Sequence, residues 1–247
     1  KSLTTKSVLL MDGHFMDGDI PLFLDMKPEH GFAAIVRDLN RLDATFLQSL
    51  LSSHASGLSL LPVGAASLPL SDIPPSCVAE TVDLLGSAFD YVVVDGGSGV
   101  HEVSRPIFER ALCIVVTTIC APMIRKAKFV LDELRRMEIP DDRIQLAITR
   151  YTARAGAPLK ETEAYLGKSA SWLIPDDYPL VCRSINEGIP LTTLAPRAKV
   201  TKAIHAMAQR TLRTMGEPKP LSRFAKLVKR LVGERPQSMT PSEVPVK

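Results

Sequence analysis

The segment Phe89-Asp90-Tyr91-Val92-Val93-Val94-Asp95-Gly96-Gly97 constrains this chain more than any other: a short β-branched run ends on a carboxylate and breaks into paired glycines. A continuous apolar run of this length reads as a strand of a parallel sheet, buried on both faces. The Asp at its carboxyl end then falls in the crevice where open α/β sheets bind ligands, and the glycines let backbone approach a phosphate closely. Taken alone, the pattern equally describes a buried strand whose last Asp caps the next turn. Both readings stand on the segment by itself.

Similar runs recur along the chain. Ser7–Met11, Leu58–Val63, Tyr91–Asp95, Cys113–Thr118, Ile144–Thr149 and Trp172–Ile174 read as strands, several of them continuously apolar. Helical patterns lie between them at Asp43–Leu51, Ser76–Ala88, Met123–Met137 and Leu159–Leu166. This alternation predicts an α/β fold, a mostly parallel sheet with helices on both faces. Pro140-Asp141-Asp142 and Pro175-Asp176-Asp177 mark short connections. A final helix is expected over Ala198–Met215, with Ala203, Ala206, Met207 and Leu212 facing inward, before Gly216-Glu217-Pro218-Lys219-Pro220 breaks it.

Apolar residues make up 45% of the 247, enough for a sizeable core without staples. Cys77, Cys113, Cys120 and Cys182 show no C-x-x-C pair and read as reduced, buried thiols of a cytoplasmic protein. The scattered His14, His30, His54, His101 and His205 lack metal-ligand spacing, which argues against zinc. No apolar run approaches the roughly 20 residues of a membrane span, and no signal peptide opens the chain. The net charge of +3 is uneven. Arg197, Lys199, Lys202, Arg210, Arg213, Lys219, Arg223, Lys226, Lys229, Arg230 and Arg235 face only Glu217 and Glu234 over that stretch, which points to an anionic partner.

Several dispersed segments add a resemblance. They are Val8-Leu9-Leu10-Met11-Asp12 with Gly18-Asp19, Leu22-Phe23-Leu24-Asp25, Leu42–Leu47, Phe89–Asp95, Ile148-Thr149-Arg150-Tyr151, Ile174-Pro175-Asp176-Asp177-Tyr178, and Ser184-Ile185-Asn186-Glu187-Gly188-Ile189-Pro190-Leu191. Together they resemble the ParA/MinD-like (deviant Walker) ATPases, and within them the pilus-assembly branch called CpaE or TadZ. The resemblance implies a P-loop NTPase-like fold and an ATP and Mg²⁺ site. Asp12 matches the first acidic position and Asp95 the Walker B position, both holding Mg²⁺ through water. Gly96 and Gly97 follow Asp95. Thr149, Arg150, Pro175 and Asp176 match the late loops that form the adenine pocket. Read without it, Asp12 caps a turn, His14 is a loop residue, and Arg150, Tyr151 and Asp176 close two turns.

Three departures accompany the match. A phosphate-cradling loop needs glycines, a Lys and a Ser or Thr between a strand and a helix. Strand Ser7–Met11 follows Lys1-Ser2 too soon for that helix, so Lys1–Lys6 reads as the tail of a helix and the first strand and P-loop are expected to be absent from this chain. His14 stands where a second acidic residue would orient the attacking water, with Asp17 and Asp19 at other spacings. Thr149 stands where an Asn would read the adenine edge, and a hydroxyl makes fewer simultaneous hydrogen bonds than an amide. The expectation is weak nucleotide binding and no hydrolysis by this chain.

The domain reading is one incomplete ATPase-type domain over residues 1–215, a linker over 216–220, a basic amphipathic helix over 221–233 and a disordered tail over 234–247. In that helix Leu221, Phe224, Leu227, Val228, Leu231 and Val232 share one face. It suits an anionic membrane surface, a protein partner or its own domain. The function implied is a Flp (Tad) pilus assembly and localisation factor of CpaE/TadZ type. It would be a homodimeric scaffold that meets pilus secretion-system proteins, in the cytoplasm or peripheral on the inner membrane. The alternative is a ParA-like partition ATPase that binds DNA through the basic tail.

Overall fold

In the computed structural model, which describes residues 3–64, 68–153 and 158–215, apolar runs and amphipathic segments alternate as the sequence predicts. The first half comprises β1 (Val8–Asp12), α1 (Ile20–Phe23), α2 (Phe32–Arg37), α3 (Ala44–Leu50), β2 (Ser52–Ser53), β3 (Ser59–Leu61), α4 (Pro75–Ala88) and β4 (Tyr91–Asp95). The second comprises α5 (Arg105–Arg110), β5 (Cys113–Thr117), α6 (Ala121–Arg136), β6 (Ile144–Tyr151), α7 (Leu159–Leu166), β7 (Trp172–Pro175), α8 (Tyr178–Glu187), α9 (Leu191–Leu194) and α10 (Lys199–Met215).

The strands form two groups, β2-β3-β1-β4 and β5-β6-β7. All pairings are parallel except β2 with β3. The central register matches Leu10 with both Leu60 and Val93, and Asp12 with Asp95. Adjacent central strands therefore end together on two carboxylates.

Local chemistry explains the element ends. Asp43 caps α3 by accepting the Phe46 N–H at 2.8 Å. Prolines open α1, α4, α5, α6 and α8, where their missing N–H leaves no helical bond unmade. Gly167 and Gly188 close α7 and α8 in the left-handed conformation. At the amino edge of the sheet, the Ser7 N–H and hydroxyl both donate to Asp90 at 2.7 Å and tie the start of β1 to the start of β4.

Two buried apolar clusters form. Leu9, Met11, Phe32, Ile35, Leu47 and Leu85 belong to the first, between β1, β3 and helices α2 to α4. Val115, Leu131, Leu134, Ile144, Leu146 and Ile148 belong to the second, between β5, β6 and α6.

Some expectations need correction. Only Cys77 and Cys113 are buried; Cys120 is exposed at the start of α6 and Cys182 lies part-way out on α8. Of the inward residues expected on the last helix, Ala206 is exposed and Ala203, Met207 and Leu212 are half-buried, while Val200 and Thr201 carry the burial. This helix packs on β7 through its first turn, which its 3.6 periodicity does not reveal. The expected linker, the basic helix with Leu221, Phe224, Leu227, Val228 and Leu231, and the terminal tail lie outside the described residues.

Candidate functional site

The register that aligns β1 with β4 places Asp12 and Asp95 as direct neighbours at the carboxyl edge, and the Gly13 N–H continues the ladder to the Asp95 carbonyl at 2.9 Å. An alanine Cβ at Gly13 would stand 2.6 Å from that carbonyl oxygen, so the chain leaves β1 through a passage open to glycine alone.

The two carboxylates live in different surroundings. Asp12 is 1% exposed. One oxygen accepts the His14 N–H at 3.1 Å and the other the Ile20 N–H at 3.4 Å, which draws loop 13–19 back over the strand end and holds the start of α1. A Cβ at Gly18 would lie 2.4 Å from Asp12 Oδ2. Burial pushes the Asp12 carboxyl above the usual carboxylate range, the two amides pull the other way, and the Asp95 carboxylate adds to the rise. Asp95 by contrast is exposed, and its Oδ1 accepts the Gly97 N–H at 2.9 Å. Gly97 adopts φ +69°, and a side chain there would meet the His14 ring. His14 and His101 line a small cavity of about 40 Å³ beside Gly13 and Gly96, room for water and little more.

A hard cation such as Mg²⁺ keeps most of its water and needs only one or two protein carboxylates. Asp95 fits that use, since it faces solvent at the strand end. Asp12 fits it only once loop 13–19 has moved, because that loop covers its oxygens here. Among the described residues no group of three or more His, Cys, Asp or Glu is placed to bind an ion directly.

The late-loop residues gather at the ends of β6 and β7. The register shifts between Ile148 and Tyr151, and Arg150 takes φ +53°, which swings its side chain out of the sheet. Its guanidinium bonds Asp176 at 3.1 Å and lies 4.9 Å from the centre of the Tyr178 ring. Thr149 is not free to read a ligand: its hydroxyl donates to the Thr117 carbonyl at 3.2 Å across the sheet. Pro175 ends β7 just before this cluster. Further on, Ser184 donates to the Ile189 carbonyl at 2.6 Å, and Gly188 packs on Asp25 so closely that a Cβ would stand 2.6 Å from the Asp25 Cβ. The first two motifs of the second half thus meet each other, and the third meets the turn after α1.

Sequence reasoning missed Tyr178 as the stacking partner of Arg150 and Cys120 as an exposed thiol beside them. The Thr118 hydroxyl 3.4 Å from the Cys120 sulfur leads the effects that hold this thiol below its ordinary range, with the Met123 amide and Arg150 assisting. Its place before Ala121-Pro122, a helix-opening pair, was the available signal.

No family model matches the chain, and no curated protein matches it. Solved structures do. A ParA family ATPase from Chlorobium tepidum TLS is 25% identical, with a TM-score of 0.76 over 83% of this chain and 87% of that one. The MinC:MinD cell division protein complex of Aquifex aeolicus gives 0.64 at 23% identity, over 89% and 88%. The septum site-determining protein MinD of Pyrococcus horikoshii OT3, complexed with Mg-ADP, gives 0.68 at 17% identity, over 85% of each chain. The fold is that of the ParA/MinD-type ATPases.

Proposed function

We propose that this chain is the body of a ParA/MinD-type nucleotide switch that serves as a dimeric scaffold in Flp (Tad) pilus assembly, of CpaE/TadZ type. The observation that carries the nucleotide part is the in-register pair Asp12 and Asp95 at the carboxyl edge of adjacent parallel strands. Phosphoryl chemistry is mostly positioning and charge stabilisation, and Asp95, exposed at its strand end, would hold a nucleotide-bound Mg²⁺ through water. The likeness to a MinD protein complexed with Mg-ADP supports that reading. The pilus part rests on the motifs around Arg150, Asp176 and Gly188, which resemble the CpaE/TadZ branch; the first two of them meet through Arg150.

In this reading the described residues bind and switch without turnover. Loop 13–19 would have to leave Asp12 before its oxygens could hold a nucleotide-bound cation through water, and the Arg150–Tyr178 pair offers a flat cationic surface to a purine. His14 supplies no carboxylate, so chain 1–247 alone is expected not to hydrolyse ATP. A homodimer would bury the Asp12 and Asp95 face twice.

Titration calorimetry of Mg-ATP into the full-length protein tests this. Binding that weakens at least tenfold in Asp95→Ala is expected, with a dimer by light scattering when ATP is present. Equal affinity in both proteins would sink the nucleotide reading. For residues 221–233 the reading is a membrane contact. Leu227→Glu should abolish binding to anionic vesicles, whereas a partition ATPase would lose salt-sensitive DNA binding with Lys226, Lys229 and Arg230.

A further inference from the structure

A cleft of about 320 Å³ opens between α10 and the turn that follows α9, and it shares no lining residue with the small cavity beside Gly13 and Gly96. Its size is that of a small-molecule site. Thr201, His205 and Gln209 line it at successive i, i+4 positions of α10, a row of about 12 Å, with Lys202 beside the first of them. Every one of these side chains can donate a hydrogen bond, and none carries negative charge. Pro196 and Ala206 add an apolar wall.

Thr201 departs from the other threonines of its helix. The Thr211 hydroxyl donates to the Met207 carbonyl at 3.0 Å and Thr214 to the Arg210 carbonyl at 3.1 Å, the usual use of a helical threonine. Thr201 is 3% exposed, and its hydroxyl makes no such bond, nor any other among the described residues. A buried hydroxyl left unpaired costs stability. Threonine in a helix has two χ1 rotamers open to it, and a turn between them carries the hydroxyl toward the cleft that the residue borders.

Charge departs from the rule at the same place. The amino end of a helix favours acidic side chains, yet the first turn of α10 has none, and Lys199 and Lys202 stand there instead. No Asp or Glu occurs between Glu187 and Met215, and Glu187 is itself held by Arg183. Among the described residues the side chains of Lys202, His205 and Gln209 meet no partner that would offset this.

We propose that this cleft binds a small organic phosphate, its phosphoryl group taken by Thr201, Lys202 and His205 and its body lying along Pro196 and Ala206 toward Gln209. Hydroxyl, ammonium and ring N–H all donate, which matches oxygens rich in lone pairs, and lysine is a common phosphate ligand. A bilayer or a DNA duplex presents its phosphates on a broad surface, whereas these donors sink into a concave cleft as far as a residue nearly removed from solvent. The site does not depend on the nucleotide reading.

Titration calorimetry of phenyl phosphate into the full chain tests the assignment, with inorganic phosphate and phenol as its two halves. Phenyl phosphate should saturate a single site and bind roughly tenfold tighter than inorganic phosphate, with no binding of phenol. Lys202→Ala and His205→Ala should each weaken it by roughly tenfold. Thr201→Val should weaken it several-fold and yet raise the melting temperature of the unliganded protein, because valine keeps the shape and removes the orphaned hydroxyl. The assignment is overturned by an absence of saturable binding, by an affinity unchanged in Lys202→Ala or Thr201→Val, or by an affinity that falls in Asp95→Ala and so belongs to the carboxyl edge. Displacement of phenyl phosphate by phosphatidylglycerol vesicles or by duplex DNA would overturn it as well, since either would make the cleft part of a broader surface.

Discussion

At the scale of single residues, the two carboxylates show how position separates chemical roles. Asp12 and Asp95 end equivalent strands, yet one is covered by its loop and accepts two amides while the other faces solvent. Because the folded Asp12 holds its proton to higher pH than the unfolded chain does, the native state binds more protons through that window. Its contribution to stability is fully present below the ordinary Asp range and is lost as pH rises through the raised value. Urea denaturation midpoints for Asp12→Asn should therefore vary less with pH between the ordinary Asp range and neutrality than those of the parent. Parallel pH profiles for the two proteins would show that burial of this carboxyl carries no linkage.

Among the elements, α4 combines a well-made buried face with one weak position. Cys77, Val78, Thr81, Leu85 and Ala88 face the core, whereas Gly86 is exposed and its Cβ would meet nothing within 4 Å. Glycine in a helix interior forfeits backbone entropy to no benefit here. Gly86→Ala is expected to raise unfolding free energy by about 0.5–1 kcal/mol, measured by denaturant titration, with no change in ligand binding. The connecting elements are more exacting. Gly31 lies so close to β3 that a Cβ would stand 2.4 Å from the Pro62 carbonyl oxygen, while the neighbouring Phe32 N–H donates to that same oxygen at 2.8 Å. An alanine there must push backbone aside, and no side-chain rotation relieves it.

On the scale of the whole molecule, the two apolar clusters have separate memberships, and among the described residues no strand pairing joins their sheets. Bridging contacts run through α5 and α8: Ile107 is buried in the first cluster while Phe108 packs on the second, Gly188 packs on Asp25, and Arg110 pairs with Asp83 through exposed side chains, a pair of the kind that contributes about 0–1 kcal/mol. Cooperative unfolding needs shared core, so the two halves should separate in denaturant. Trp172, the one tryptophan of the chain, sits in β7 and reports the second half alone. Its fluorescence transition and the far-ultraviolet circular dichroism transition should not coincide in urea. Superimposable curves would show that the halves fold as one unit despite their separate strand groups.

Much of this architecture is legible in one dimension because it follows from periodicity and local chemistry. Continuous β-branched runs mark the parallel strands, Asp43 and the prolines mark helix starts, and the break of Tyr91–Asp95 into glycines marks the edge where Asp95 stands. Short elements such as α1, α2 and α5 escape because four to six residues hold too little periodicity. What lies beyond the sequence is register and burial, which depend on partners distant along the chain. Only the folded sheet pairs Asp12 with Asp95, turns Thr149 onto the Thr117 carbonyl, stacks Arg150 on Tyr178 and leaves Val93 and Val116 bare. A run of valines states that a strand should be covered. Whether anything covers it is decided by the strands beside it.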